Sequence, residues 1–405
     1  MNKEEMFLEN MSYREYKSSN RISVTNTNKD SGMIVSSPDK TLFTIVMFLV
    51  FIGFLAIFSA TAPKCQRDGI FLFSFLIKQV IFTFAGFISM LFFIRFDYKK
   101  LEKFNKPFLY IVIALLLILQ FTPLGVTING AKRWINLGFM QLQPSELAKP
   151  LFCMLLATMF KDKINLNTLL KNLSNTIVPM LIILGLIYKQ PNLSMTIILA
   201  MTVFVAYVVA RGPLLPIFVG SGVMGVGVLS MLPKLLQGYQ MDRIAVWHHP
   251  ELDAQGKGYN IIQSLIAFAS GGFSGVGYGA SIQKLAYLPE CHTDFIFAII
   301  AEEFGFIGCL FVLGLFVVLV HRGFWIANRC PDMYGKILAL SITFIFGFQS
   351  LLNMSVASSF SPVTGVTLPF ISYGGTSIIV SLTMVGILLN ISKQRIRKLG
   401  TRIYE

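Results

Sequence analysis

The chain has 405 residues, of which 54% are hydrophobic and only 13% charged, against about 25% charged in soluble domains. A mean hydropathy of +0.67 excludes a disordered chain and an ordinary soluble enzyme, and five scattered cysteines exclude a disulfide-stapled secreted scaffold. The net charge of +14 raises nucleic acid as a partner class, which the placement of the cations has to decide.

Residues 1–40 are rich in Ser, Asn, Lys and Glu, carry no core-forming pattern and read as a disordered tail. The apolar run that follows, 41–61, has no cleavage site after it, so it reads as a span and not as a signal peptide. A helix crosses the hydrocarbon core with about 20 apolar residues. On that criterion the clear spans are 41–61, 73–94, 107–124, 193–210, 213–232, 296–320 and 368–391. Shorter or interrupted candidates are 146–160, 174–188 and 336–356, the first marked as kinked by Pro150 beside Lys149. The expected fold is an all-α polytopic membrane protein of about ten transmembrane helices. Its membrane domain covers 41–392, with a large extracytoplasmic loop at 233–295 between the seventh and eighth spans and a C-terminal tail at 393–405. A loop that long with no obvious structure of its own is usually functional.

With the N-terminus inside, 23 of the 34 Lys and Arg fall on the inner side, nine fall in outer loops, and Lys78 and Lys149 lie within spans. That asymmetry follows the positive-inside rule, so the basic excess is mostly topology and nucleic acid drops out as a partner. Both tails are expected in the cytoplasm.

Charges near the membrane core are costly, so each one asks for an explanation. Asp294 stands where a polar loop turns into an apolar helix (LPECHTDFIFAIIAEE). A partly desolvated carboxylate there suits a general base, and a helix N-terminal residue favoured by the macrodipole is the plainer reading. Glu302, eight residues on, is expected within roughly 100° of Asp294 around the helix, so that both face one cavity. Glu303 points elsewhere, as a packing or helix-pairing residue. Glu146 and Lys149 are three apart on a helix opening at Pro144 and Ser145. They read equally as an intrahelical ion pair or as a cation held ready for an anionic substrate. Lys132, Arg133 and Arg243 are outer-face cations that a diphosphate could use, and Trp134 reads as an interfacial anchor. The glycines of SGGFSGVGYG (270–279) and SYGG (372–375) suit tight turns or close helix approach, not a nucleotide fold. His248, His249 and His292 have no metal-ligand spacing with the cysteines. Cys65 and Cys291 could pair if both lie outside.

The segments GAKRWINLGFMQLQPSELAK, YQMDRI with GKGYNIIQS, SGGFSGVGYGASIQK, YLPECHTDFIFAIIAEEFGFIG and PVTGVTLPFISYGGTS closely resemble the FtsW/RodA/SpoVE family, the SEDS proteins. The resemblance runs in order over roughly 41–395. It implies a glycosyltransferase that polymerises lipid II into β-1,4 glycan at the outer face of the bacterial cytoplasmic membrane. It further implies a class B penicillin-binding protein, a transpeptidase, as partner, and its wording leans to division-type or sporulation-type members, hence to divisome proteins. By the resemblance Asp294 is essential, which favours its general-base reading over the plainer one, and Trp134 belongs to a site motif. Glu146, Lys149, Lys132, Arg133, Arg243, Ser372 and Gly374 are then the expected substrate-binding residues. Departing undecaprenyl diphosphate needs charge neutralisation, either from cations such as Lys149 and Arg243 or from a divalent ion, Mg or Mn. Where the family shows Gln-Pro-Asp, this chain has Gln190-Pro191-Asn192, which puts a carboxylate role at that position in doubt.

The alternatives are a lipid II flippase with the same polar cavity, an elongation-type RodA-like polymerase, and a non-catalytic scaffold. Polar groups gathered on the outer side favour chemistry there over a path across the membrane.

Overall fold

The computed structural model describes residues 33–35, 37–128, 131–138, 140–162, 172–210, 246–256 and 258–396. The expected span 213–232 and Arg243 lie outside the described residues.

Helix α1 (Lys40–Arg67) starts where Asp39 accepts a hydrogen bond from the Leu42 backbone N at 2.9 Å. The same carboxylate takes Arg322, and the Asp39 N–H donates to Ser392 Oγ at 2.9 Å. Two strands pair antiparallel beside this end, β1 (Met33–Val35) with β5 (Gln394–Ile396). Helices α2 (Ser74–Arg95) and α3 (Asn105–Phe121, preceded by a 3₁₀ turn Tyr98–Phe104) turn much apolar surface outward, as lipid-facing helices must.

Between α3 and α4 (Pro144–Met159) the chain forms a three-stranded antiparallel sheet, β2 (Gly125–Ile128), β3 (Ala131–Asn136) and β4 (Gln141–Leu142). Alternation along β3 buries Ala131, Arg133 and Ile135 on one face and leaves Lys132 and Trp134 half-buried on the other. Then come α5 (Val178–Lys189), entered through a π turn at Leu173–Ile177, and α6 (Leu193–Val209).

The long outer segment is not structureless. It carries α7 (Tyr259–Gly271), a 13-residue amphipathic helix. Helix α8 (Ile296–Arg329) follows, then α9 (Met333–Ala357) and α10 (Gly375–Ser392). Among the described residues, six helices are long and apolar enough to span a membrane: α1, α2, Tyr98–Phe121, α8, α9 and α10. Of the other expected spans, α4, α5 and α6 are shorter than a full crossing. The last expected span begins late, because 368–374 is a turn and the helix opens only at Gly375.

Helix α8 is broken at Gly305, whose φ of 64° only glycine adopts without strain. The 272–277 loop enters the break. Val276 and Gly277 donate backbone N–H groups to the carbonyls of Glu302 and Glu303, both at 3.0 Å, and Phe306 donates to Gly272 at 2.9 Å. Helix groups freed by the break are thereby satisfied within the protein, as the membrane requires. A Cβ on Gly305 would lie 2.4 Å from the Gly275 nitrogen, so close backbone approach is what this glycine-rich stretch provides.

Candidate functional site

Asp294 lies just before α8, which begins at Ile296 with Phe295 at its cap position. Asp294 is therefore on a turn and not on the helix, and the expected cavity shared with Glu302 does not form. The Glu302 carboxylate instead accepts from the Ser281 hydroxyl, from Ile282 N at 2.9 Å and from Gln283 N at 3.3 Å. Glu303 pairs with Lys284 at 2.8 Å and accepts from Ser59, all three side chains buried. These contacts fix the start of the turn segment 281–295.

Three neutral side-chain and backbone contacts hold its other end. Asn353 Nδ2 donates to the Asp294 carbonyl at 2.8 Å and to the Val366 carbonyl at 2.7 Å. Ser372 Oγ donates to the Thr293 carbonyl at 2.6 Å and accepts from Leu368 N at 2.8 Å. The Tyr373 N–H donates to the His292 carbonyl at 2.9 Å. Ser372 thus shapes the turn through backbone groups. Gly374 opens α10 and donates its N–H to Gln79 Oε1 at 3.2 Å.

The half-buried Asp294 side chain faces Arg133. A Cβ on Gly365 would stand 2.8 Å from Arg133 Nη1 and 3.4 Å from Asp294 Oδ2, so both groups border the space where that side chain is missing. The two groups carry opposite charges on either side of that space. The rest of the guanidinium is committed: Nε donates to the Gln190 carbonyl at 3.4 Å and Nη2 to the Pro191 carbonyl. Strand β3 and the α5–α6 turn therefore aim one face of Arg133 at Asp294.

Lys149 and Glu146 form a fully enclosed ion pair at 2.6 Å, with side chains 1% and 3% exposed. Lys149 Nζ also donates to Gln349 Oε1 at 3.0 Å, and Gln349 Nε2 donates to the Thr367 carbonyl at 2.9 Å. Gln349 and Asn353 are one turn apart on α9 and staple adjacent residues of the 361–374 loop. One polar ladder thus runs from Glu146 through Lys149 and Gln349 to the loop, and from the loop through Asn353 to Asp294.

Lys132 sits on the opposite face of β3 from Arg133 and donates to the Thr122 carbonyl at 2.6 Å; Trp134 shares that face and pairs with Val126 in the sheet. Neither is brought to Asp294 by the strand's alternation. Asn192 caps α6, accepting from Met195 N at 3.4 Å, and its amide donates to Ser145 Oγ at 3.3 Å. A carboxylate could not make that donation. Cys65 and Cys291 are both free, and Cys291 Sγ points to the Ala60 carbonyl at 3.7 Å.

Among the described residues no three His, Cys, Asp or Glu side chains converge as a cation site, and the group facing Asp294 is itself a cation.

Reasoning from sequence missed Lys284, counted only as an outer cation, and the pair Gln349 and Asn353. Their signal was there: two amides four residues apart in an otherwise apolar span.

A family model described as cell cycle protein, covering FtsW, RodA and SpoVE, matches residues 39–397. The probable peptidoglycan glycosyltransferase FtsW of Trichlorobacter lovleyi is 38% identical over 87% of this chain and 93% of its own. Stage V sporulation protein E of Bacillus subtilis is 36% identical over 88% of this chain and 98% of its own. Among solved structures, a chain of a peptidoglycan synthase complex that coordinates polymerization and crosslinking superposes with a TM-score of 0.72 at 28% identity, covering 88% of this chain and 97% of that one. The rod shape determining protein RodA of Thermus thermophilus gives 0.64 at 27%, covering 88% and 96%.

Proposed function

The chain belongs to the FtsW/RodA/SpoVE family of multi-pass membrane proteins, and from that premise we propose how it works as a division-type peptidoglycan glycosyltransferase. The observation that carries the mechanism is Asp294 held on a braced turn opposite Arg133.

In the proposed reaction lipid II is both donor and acceptor. The Asp294 carboxylate takes the proton of the acceptor GlcNAc 4-hydroxyl as that oxygen attacks the donor's anomeric carbon. The bond to undecaprenyl diphosphate breaks with inversion, giving the β-1,4 linkage. Before the acceptor arrives, Arg133 offers Asp294 an opposite charge across the gap at Gly365. As the proton moves onto the carboxylate, the guanidinium's attraction passes to the charge growing on the departing diphosphate. Arg133 is suited to both because its remaining nitrogens are bound to backbone carbonyls, so it needs no reorganisation. Lys149 acts by fixing Gln349 and so the 361–374 loop.

The reaction side is the extracytoplasmic one, with the Asp39–Arg322–Ser392 end and both tails in the cytoplasm. A class B penicillin-binding protein crosslinks the product, as the likeness to a peptidoglycan synthase complex supports.

The test is reconstitution of the purified chain and its transpeptidase partner with labelled lipid II. Wild type should give glycan ladders resistant to moenomycin, and Asp294→Asn should lower the rate by about 10²–10⁴-fold, the usual share of general-base catalysis. An Asp294→Asn protein polymerising at the wild-type rate sinks the scheme. Movement of lipid II across vesicles without ladders would support the transporter reading instead.

A further inference from the structure

Beside the 281–295 segment lies a cavity of about 600 Å³ between the end of α1 and the loop at 284–292. His292 and Cys291 line it, and Asp294 does not. A second chamber of about 360 Å³ adjoins it, sharing Pro63, Gln66, Lys284 and Leu285. The two differ in chemistry and in depth. The smaller is bordered by Phe58, Ala62 and Ile282, one turn earlier on α1, and the larger by Lys64, Arg67 and Glu290.

Helix α1 has 28 residues and is therefore about 42 Å long, against a hydrocarbon core of about 30 Å. With Lys40 at one membrane surface, Pro63–Arg67 stands at the headgroup level of the other. The smaller chamber, which Ser59, Ser281 and Lys284 border along with its apolar residues, is thus on the hydrocarbon side of the larger one. Exposed Ile282 and Leu285 border it and suit an acyl chain better than water.

Charge decides which head fits. Arg67 is paired with Asp68 at 3.3 Å and Lys284 with Glu303 at 2.8 Å. Lys64 has no acidic side chain within ion-pair distance among the described residues, and its Nζ lies 5.4 Å over the Phe75 ring. Glu290 brings a carboxylate to the opposite wall, held by Thr293 Oγ1 at 3.1 Å. With Arg67 offset by its neighbour Asp68 and Lys284 by Glu303, Lys64 and Glu290 leave no net positive charge for a diphosphate, which carries two or more negative charges. That balance matches a head that joins one phosphate to one ammonium.

We propose that this pair of chambers binds a bilayer phospholipid of the phosphoethanolamine type, its phosphate on Lys64, its ammonium on Glu290 and an acyl chain in the Phe58–Ile282 chamber. The site is independent of the polymerase reading, since it uses none of the groups assigned to the reaction. Its occupant rests against His292, whose carbonyl takes the Tyr373 N–H, and so lies on the back of the turn that carries Asp294.

Native mass spectrometry of the full chain, released from detergent and titrated separately with phosphatidylethanolamine, phosphatidylglycerol and undecaprenyl diphosphate, tests this. Wild type should retain phosphatidylethanolamine most strongly. Lys64→Gln should weaken that retention about fivefold, the worth of one cation at a lipid surface, and Lys64→Arg should restore it. Glu290→Gln should equalise phosphatidylethanolamine and phosphatidylglycerol. Tighter binding of undecaprenyl diphosphate that is lost in Lys64→Gln would overturn the assignment in favour of the isoprenoid carrier. Retention unchanged by Lys64→Gln would overturn the site. Melting temperatures of all variants, expected to match wild type because Lys64 and Glu290 are both partly exposed, show that the change is in binding.

Discussion

The two ends of the segment that presents Asp294 are built from different chemistry. Its entrance, 281–284, is held by buried charges: Glu302 on three donors, and Lys284 on Glu303 and Ser59. Its exit, 292–294, is held by an amide, a hydroxyl and a backbone N–H acting on three successive carbonyls. Buried ion pairs are all-or-nothing, because removing one partner strands the other charge in a poor solvent. Neutral hydrogen bonds are lost in smaller steps. The entrance is therefore a fixed post, and the exit is where the carboxylate's position is set in small increments.

The largest expected effect breaks the post. Glu303→Gln leaves the Lys284 ammonium buried with a neutral neighbour, at a cost of about 3–5 kcal/mol. Thermal unfolding in detergent should show a large fall in melting temperature. Changing both partners, Lys284→Met with Glu303→Leu, should recover most of the loss, because no stranded charge remains. If the double variant is as unstable as the single one, the entrance is not an electrostatic post.

A titratable group on the exit side sharpens the contrast next. His292 packs its ring on Phe75 and Tyr373. Burial first, and the nearby Lys64 second, push its pKa from the ordinary 6.5 down to about 4, with Glu290 opposing. Between those values the unfolded chain binds a proton that the folded chain does not, so stability rises with pH across the window and falls as pH drops from 6.5 towards 4. The full linkage is about 3 kcal/mol. Comparing wild type with His292→Gln at pH 7 and pH 4.5 isolates it: the wild-type melting temperature should drop further on acidification than the variant's.

How legible this arrangement was in the chain depends on what kind of signal each part leaves. Spans such as α1 and α8 showed as long apolar runs, and Asp294, Glu146 and Lys149 stood out as scarce charges in an apolar setting. The ion pair of the latter two follows from their i, i+3 spacing on one helix. Asp294 and Glu302 went astray for a local reason. Helical geometry was extended back through 294, whereas the positive φ of Glu290 (53°) marks a turn there and the helix starts two residues after Asp294. The strands β2–β4 were invisible because a short hairpin between spans has too few residues for a period-2 pattern to register. Arg133 facing Asp294 required that strand's alternation. The Lys284–Glu303 pair requires the α8 break that admits the glycine loop, a tertiary fact with no local period.

A moderate effect tests the exit itself. Asn353→Ala removes the donor to both the Asp294 and Val366 carbonyls, at a cost of about 1–3 kcal/mol in stability. The informative readout is catalytic: freeing the Asp294 backbone should lower the polymerisation rate at saturating lipid II more than it raises KM. An equal loss in Ser372→Ala, which frees the Thr293 carbonyl, supports a graded exit, whereas an unchanged rate in both variants assigns the positioning to the entrance alone.

The smallest change touches neither anchor. Gly365→Ala places a methyl group 2.8 Å from Arg133 Nη1 and 3.4 Å from Asp294 Oδ2. A free arginine tip would swing aside at little cost, but this one is tethered to the Gln190 and Pro191 carbonyls, so the methyl has to widen the gap between the two charges. Folding should be nearly unaffected, because both anchors stay intact. The polymerisation rate should fall about tenfold, as roughly 1.4 kcal/mol of transition-state stabilisation is lost. Activity equal to wild type would show that the distance between Arg133 and Asp294 does not limit the reaction, leaving the two anchors as the whole of the positioning device.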